Sequence, residues 1–262
     1  MMDGQDGPDR YPEQLLGAWE RGVPRPVAGR ALVLLAMADE SSATDDELAS
    51  LSIGRRDARL LALRTRLFGE RMVALATCAA CGESLELDFS GADITHIDHP
   101  TAAQGVDPLV DGPIRPVTLH IDGFELRVRL LDSRDLQSIA DETDLGSARD
   151  TLLRRCILSA RREDAEVAAA QLPDAVLDAV DEWLAASDPQ ADVQLELRCP
   201  GCAAAWQQGF DIVGFLWAEV DAWARRTLYE VHLLASAYGW RESDVLAMSV
   251  PRRQAYLDLV SS

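Results

Sequence analysis

The chain has 262 residues, 48% of them hydrophobic, which is enough for a globular protein with a substantial core. Its net charge of −19 and its pI near 4.5 disfavour nucleic-acid binding, because so acidic a surface repels phosphate backbones. All 25 basic residues are arginine, which excludes a Schiff-base lysine and the phosphate-binding lysine of a P-loop.

The N-terminal part of the sequence predicts neither a targeting signal nor a membrane anchor. Residues 1–14 are acidic and polar, and the longest apolar run, residues 31–38, is too short to span a bilayer. We therefore expect a cytoplasmic protein with no membrane partner. Residues 1–26 are rich in glycine and proline and predict a flexible tail, with a short turn of helix around residues 14–20 whose Trp19 packs back on the domain.

The next part of the chain predicts helices. Residues 27–39 form an almost wholly apolar helix. Thr44 and Glu47 predict a capping box, in which the hydroxyl caps the first turn of a helix and the carboxylate reaches back to the cap amide. Apolar residues at three- and four-residue spacing predict a longer helix over residues 54–76, which leads directly to Cys78.

Alternating polar and apolar residues predict several strands. Residues 84–89 form one strand after the first cysteine pair. Residues 117–121 and 124–130 flank Asp122 and Gly123, a dipeptide that suits the positive φ angles of a type I′ turn and therefore predicts a β-hairpin. Further strands are predicted over residues 193–197 and 206–210.

Helical patterns occupy most of the remaining sequence. Three helices are predicted over residues 133–142, 145–162 and 173–186. Cys156 lies on an apolar side of the middle helix and is interpreted as a small buried hydrophobe. A continuous apolar face beginning near Asp211 predicts a long helix that ends at Gly239, followed by two short helices.

Four of the five cysteines fall in two CxxC motifs, which pair Cys78 with Cys81 and Cys199 with Cys202. In a reducing compartment such pairs indicate metal ligands rather than disulfides. Two turns that each supply two thiolates complete the tetrahedral shell of one zinc ion and leave no open position for water. We therefore predict one structural zinc per chain, with these four cysteines as its ligands.

Other interpretations of these residues stay open. The cysteines could be unligated thiols or a redox motif of the thioredoxin kind, and their two pairs lie further apart than the usual spacing of about 15–20 residues. In favour of a shared site, Phe89 and Phe210 follow the two motifs at the same offset. His96 and His99 lie in a polar loop without further ligands and predict no second site. No GxSxG, HExxH, P-loop or GxGxxG motif is present, so the sequence offers no catalytic residues.

The elements together predict an α+β fold that is mostly helical. It contains a small zinc-ribbon-like antiparallel β module, formed by the two distant CxxC turns, and a separate β-hairpin. The predicted segments are a flexible N-terminal tail (1–26), N-terminal helices (27–77), the first zinc knuckle with the hairpin region (78–133), an inserted helical segment (134–190), the second zinc knuckle (191–212) and C-terminal helices (213–262).

Parts of the sequence resemble a family of phage baseplate proteins that occur with contractile tails and related contractile injection systems. The match is carried by residues 229–246, which include a Tyr-Gly-Trp turn at residues 238–240, and by the Arg-Arg and Tyr-Leu pairs within residues 252–257. Much of residues 55–90 and 195–260 fits the family pattern, which contains no catalytic signature.

The resemblance implies a non-enzymatic structural or assembly protein of an injection-system baseplate. Its partners would be other baseplate or hub proteins, with neither nucleic acid nor a small-molecule substrate, and the four cysteines would bind the structural zinc. The alternative is a zinc-ribbon module that binds nucleic acid or acts in transcription, and the net charge of −19 argues against it.

Overall fold

A computed structural model of the chain describes residues 12–38, 43–95, 115–163 and 165–260. The strands among these residues form three antiparallel sheets, ordered β1–β2, β3–β4–β5–β6 and β7–β8. Helices are thus combined with small antiparallel sheets, as the sequence predicts. In chain order the elements are α1 (Pro12–Gly22), α2 (Val27–Ala38), α3 (Asp45–Ala49), α4 (Ile53–Phe68), β1 (Arg71–Thr77), β2 (Ser84–Ser90), β3 (Val117–Ile121), β4 (Phe124–Val128), α5 (Ser133–Ser138), α6 (Leu145–Cys156), β5 (Ile157–Arg162), β6 (Ala165–Glu166), α7 (Asp174–Ser187), β7 (Gln194–Arg198), β8 (Ala205–Gly209), α8 (Ile212–Tyr238), α9 (Glu242–Leu246) and α10 (Val250–Val260).

The larger hydrophobic core is built around the long helix α8. The predicted apolar face of this helix is buried from Ile212 to Leu234, and the helix packs against α1, α2, α4 and α10. Tyr238, the last residue of the predicted face, is exposed. Leu216, Val220 and Trp223 are almost completely excluded from solvent. Gly239 ends the helix with a φ of 67°, a left-handed conformation that glycine adopts without strain.

The N-terminal tail was predicted to extend through residue 26, and this is wrong for the described part. Residues 12–22 form the full helix α1, whose Leu15 and Leu16 are buried in the larger core. Trp19 donates a hydrogen bond from Nε1 to Oδ1 of Asp221 at 2.8 Å, so it packs on the domain as expected. The helix forms because its apolar face has this core to pack against. Residues 1–11 lie outside the described residues.

The helix predicted over residues 54–76 is too long. Helix α4 ends at Phe68, and Gly69 follows with a φ of 88°. Residues 71–77 then form β1, which pairs with all seven residues of β2. The apolar residues that fit a helical spacing also fit an alternating strand, since Met72 and Ala76 point to the core from one face. The interstrand hydrogen bonds decide between the two patterns.

A second helix was also predicted too long, over residues 145–162. Helix α6 ends at Cys156, and the next six residues form β5, which pairs with β4. Helix α5 is likewise shorter than predicted and ends at Ser138. By contrast, the capping box of Thr44 and Glu47 is confirmed, with both reciprocal hydrogen bonds present.

The residues between the two CxxC motifs contain a second hydrophobic core. It is formed by the four-stranded sheet, α6 and α7, and it buries Leu126, Val128 and Cys156 completely. The predicted hairpin is confirmed, because Asp122 and Gly123 connect β3 to β4 with φ angles of 48° and 79°. The predicted inserted segment, residues 134–190, contains the helices α6 and α7 and most of α5, and in addition the strands β5 and β6, which the sequence did not predict.

The start of α4 joins the inserted unit to the larger core. The backbone N–H of Ile53 donates to the carbonyl oxygen of Leu131 at 3.0 Å, and that of Gly54 donates to Oδ2 of Asp188 at 2.9 Å. Leu131 follows β4, and Asp188 follows α7. Two separate segments of the unit thereby satisfy backbone groups that a helix leaves unpaired at its N-terminus.

Candidate metal centre

Each CxxC motif lies at the tip of a two-stranded hairpin. The first connects β1 to β2, and the second connects β7 to β8. A strand therefore precedes each motif as well as following it. The sequence prediction missed β1 because its residues were assigned to the preceding helix. The signal that identifies it is Gly69 followed by the alternation of exposed Val73 and Leu75 with buried Met72 and Ala76.

The two turns have the same backbone hydrogen bonds. In the first, the N–H of Cys78 donates to the carbonyl of Glu83 at 2.9 Å, and the N–H of Gly82 donates to the carbonyl of Cys78 at 2.8 Å. In the second, the N–H groups of Cys199 and Ala203 make the equivalent bonds, to the carbonyls of Ala204 and Cys199, both at 2.9 Å. The two halves of the site are thus built as structural equivalents.

The residue after the second cysteine of each turn has a left-handed backbone conformation. Gly82 has a φ of 76° and Ala203 a φ of 61°. Glycine adopts such angles freely, whereas a side chain with a Cβ is strained there. The second turn therefore holds a conformational strain that the first avoids.

All four sulfur atoms converge on one point. The Sγ atoms of Cys78 and Cys202 are 3.7 Å apart, those of Cys81 and Cys199 are 3.6 Å apart, and all four lie within 4.8 Å of one another. A disulfide would require about 2.05 Å. Four thiolates at about 2.3 Å from a central ion are separated by roughly 3.8 Å along each tetrahedral edge. The four predicted residues are thus brought together, close enough to hold one metal ion.

The site lies at the edge of the larger core. Cys78 and Cys199 are buried, whereas Cys81 and Cys202 are exposed. Behind the sulfur atoms the two hairpins contact each other through Phe89 of β2 and Phe210, which follows β8, with ring centroids 5.5 Å apart in an edge-to-face arrangement. The equivalent positions noted in the sequence are therefore packing partners.

The thiols hydrogen-bond to one another and to the turn backbone. The pKa of Cys78 is lowered to about 7, chiefly because the backbone N–H of Cys81 donates to its sulfur. The backbone N–H of Glu83 lowers the pKa of Cys81, but the hydrogen bonds with Cys202 and Cys199 outweigh it and raise that pKa to about 12. Metal binding must therefore displace protons from the group, and metal affinity depends on pH.

The other candidate ligands among the described residues lie outside this cluster. Cys156 is buried in the second core, where loss of solvation raises its pKa to about 12, as expected for a packing residue. His120 on β3 and His232 on α8 are both exposed. His96 and His99 lie outside the described residues. Within the described ranges, the four cysteines are the one group of potential ligands close enough for a shared metal.

Comparisons of the chain with protein-family models, with curated proteins and with solved structures find no match. Within the described part of the chain, no helix combines the length and the apolar character needed to cross a bilayer.

Proposed function

We propose that Cys78, Cys81, Cys199 and Cys202 bind one structural zinc ion per chain. The observation that carries this proposal is the convergence of four sulfur atoms, with measured separations of 3.6 and 3.7 Å between the two turns. An all-thiolate set of four favours zinc over magnesium or calcium, which prefer oxygen ligands. A shell filled by four protein ligands leaves no position for a catalytic water.

The zinc ion would act as a clasp between two distant parts of the chain. Residues 82–198 lie between the two turns and contain the second core. Closing so long a loop costs chain entropy, which the free energy of metal binding offsets. The clasp would hold the hairpin that follows α4 against the hairpin that precedes α8.

We propose that the protein acts without catalysis, as a structural or assembly component of the baseplate of a contractile injection system. What supports this role is the resemblance of much of residues 55–90 and 195–260 to baseplate proteins. These residues comprise both hairpins together with most of α4 and the C-terminal helices. Their surfaces would bind other baseplate or hub proteins.

The zinc proposal is tested by metal analysis of the purified protein. We expect about one zinc per chain, with Cys78→Ser and Cys202→Ser each losing both metal and thermal stability. Cys156→Ala is the matched control, since its sulfur lies in the second core and its loss should leave the zinc content unchanged. A metal-free wild-type protein that is fully stable would refute the proposal.

The baseplate role is tested by co-expression with the proteins of neighbouring genes. We expect a stable complex with a baseplate or hub subunit, and a gene neighbourhood that encodes sheath, tube and spike proteins. Failure to bind any of them would contradict the role without affecting the zinc proposal. Salt-dependent binding of DNA by the purified protein would instead favour the nucleic-acid alternative.

A further inference from the structure

Each turn of the cysteine cluster carries one buried and one exposed cysteine. The first cysteines of the two turns, Cys78 and Cys199, are both 1% exposed. The second cysteines, Cys81 and Cys202, are exposed in the described part of the chain. Cysteine oxidation follows thiolate character and accessibility, and a cysteine that binds a metal does so as a thiolate. A small oxidant in solution therefore reacts first at Cys81 or Cys202.

The sulfur contacts join each exposed cysteine to the buried cysteine of the opposite turn. The Sγ atom of Cys202 lies 3.7 Å from that of Cys78. The Sγ atom of Cys81 lies 3.6 Å from that of Cys199. The two contacts share no atom, so both pairs can become covalently bonded in the same molecule. Since a disulfide is about 2.05 Å long, the sulfur atoms of each pair must approach by roughly 1.6 Å.

Oxidation of such a pair by a hydroperoxide balances in atoms and electrons. The exposed thiolate attacks one oxygen of hydrogen peroxide, the O–O bond breaks, and the products are a sulfenic acid and hydroxide. The buried thiolate of the same pair then attacks the sulfenic sulfur, the S–O bond breaks, and a second hydroxide leaves as the disulfide forms. The peroxide accepts two electrons for each disulfide, and two protons convert the hydroxides to water. When both pairs have reacted, no thiolate remains to bind zinc.

Disulfides between the turns preserve the connection that the zinc ion makes. The two contacting pairs join residues that are 124 and 118 positions apart, and each pair links the β1–β2 hairpin to the β7–β8 hairpin. The competing products are disulfides within each turn, since all four sulfur atoms lie within 4.8 Å of one another. Those bonds would leave the two hairpins unlinked. The pairing therefore decides whether oxidation keeps the clasp closed or opens it.

We propose that the cysteine cluster is a redox-responsive clasp, in which a hydroperoxide exchanges the zinc ion for disulfides of Cys78 with Cys202 and of Cys81 with Cys199. This regulation rests on the proposed zinc site. Oxidation releases the metal, while the covalent bonds keep the two hairpins together. Thiol reductants reverse the oxidation by thiol–disulfide exchange, after which the four thiolates bind zinc again.

The test uses zinc-loaded protein with the substitution Cys156→Ala, which leaves the four cluster cysteines as the only thiols. Hydrogen peroxide is added in steps, and the released zinc is measured with a metal-sensitive dye. The free thiols are then blocked, and the protein is digested with trypsin without reduction. Each turn lies within one tryptic peptide, residues 72–127 for the first and residues 199–225 for the second. Disulfides between the turns link these peptides, and tandem mass spectrometry assigns the partners.

We expect about one zinc ion per chain to be released as the two peptides become linked, and zinc binding to return after reduction with dithiothreitol. Hydrogen exchange in β1, β2, β7 and β8 should stay slow in the oxidised protein. Reduced protein whose zinc has been removed by a chelator is the matched control, since it lacks both the metal and the disulfides. Exchange in the same four strands should be at least about tenfold faster there.

The measurements separate a failure of the redox clasp from a failure of the zinc site. Purified protein without zinc contradicts the zinc site before any oxidant is added. Zinc-loaded protein that loses its metal to peroxide without linkage of the two peptides contradicts the redox clasp alone. Disulfides found only within the turns would overturn it as well, because the hairpins would then separate on oxidation.

Discussion

Replacing Ala203 by glycine is expected to stabilise the folded protein, although alanine-to-glycine substitutions ordinarily destabilise. Ala203 has a φ of 61°, in the left-handed region. A residue with a Cβ loses about 1–2 kcal/mol there, and glycine does not. Glycine in turn gives the unfolded chain more freedom, which costs about 0.4–1 kcal/mol. The net expectation is a gain of about 0.5–1 kcal/mol in the free energy of unfolding.

The equivalent position in the other turn allows the reverse experiment. Gly82 has a φ of 76°, and a Cβ added to it would meet no atom within 4 Å. Gly82→Ala therefore introduces backbone strain without a steric clash, and it should lower the free energy of unfolding by about 0.5–1 kcal/mol. The two substitutions should have opposite signs because the two turns have equivalent backbones.

Urea denaturation of the zinc-loaded protein, followed by tryptophan fluorescence, measures both effects. Ala79→Gly is the matched control, since Ala79 is an exposed residue of the first turn whose φ is not positive. It should destabilise the protein by about 0.4–1 kcal/mol. If Ala203→Gly destabilises as Ala79→Gly does, or if Gly82→Ala has no effect, then the assumed strain at Ala203 is wrong.

Two further predictions concern buried ionisable groups. Glu219→Gln should lower the free energy of unfolding by about 3 kcal/mol in the same urea assay, because Arg64, whose side chain is 3% exposed, loses the carboxylate that it contacts at 2.7 Å. Asp88→Asn, which breaks an exposed ion pair, is its control and should have little effect. Burial raises the pKa of the Asp188 carboxyl group from 3.8 to about 6. The folded chain therefore holds the carboxyl proton more tightly than the unfolded chain. As the pH rises from about 4 to 6, ionisation of Asp188 lowers the free energy of unfolding. The Asp188→Asn variant has no such carboxyl group, so its free energy of unfolding should rise relative to that of the wild type as the pH increases from about 4 to 6. Urea titrations at several pH values measure this difference. If the difference does not change with pH, the raised pKa of Asp188 is wrong.

The sequence predicted best those features that depend on local chemistry. The Asp122-Gly123 turn, the Thr44 capping box and the apolar face of α8 each follow from residue types within a few positions of one another. The cysteine cluster was also predictable, although its members are distant in sequence. Thiolate pairs in CxxC turns need two further ligands to complete a tetrahedral shell, and this chain offers one other such pair.

The errors have a shared physical cause. Residues 71–76 and 157–162 are both predicted as the ends of helices, and both form strands. In each case the apolar spacing is compatible with either structure over so short a range. The outcome depends on a partner strand, β2 or β4, whose hydrogen bonds only the folded chain provides. Helix α1 was underestimated for a similar reason, since its stability comes from the packing of Leu15 and Leu16.

The separation between the metal site and the second core leads to a final prediction about metal removal. The second core has its own hydrophobic cluster, and hydrogen bonds from Ile53 and Gly54 attach this part of the chain to α4 independently of the cysteine turns. Chelation of the zinc should therefore release the hairpins β1–β2 and β7–β8 first. Hydrogen exchange read by mass spectrometry should accelerate in these four strands, while β4 and β5 stay protected. Equal acceleration in both regions would mean that the clasp stabilises the whole chain as one cooperative unit.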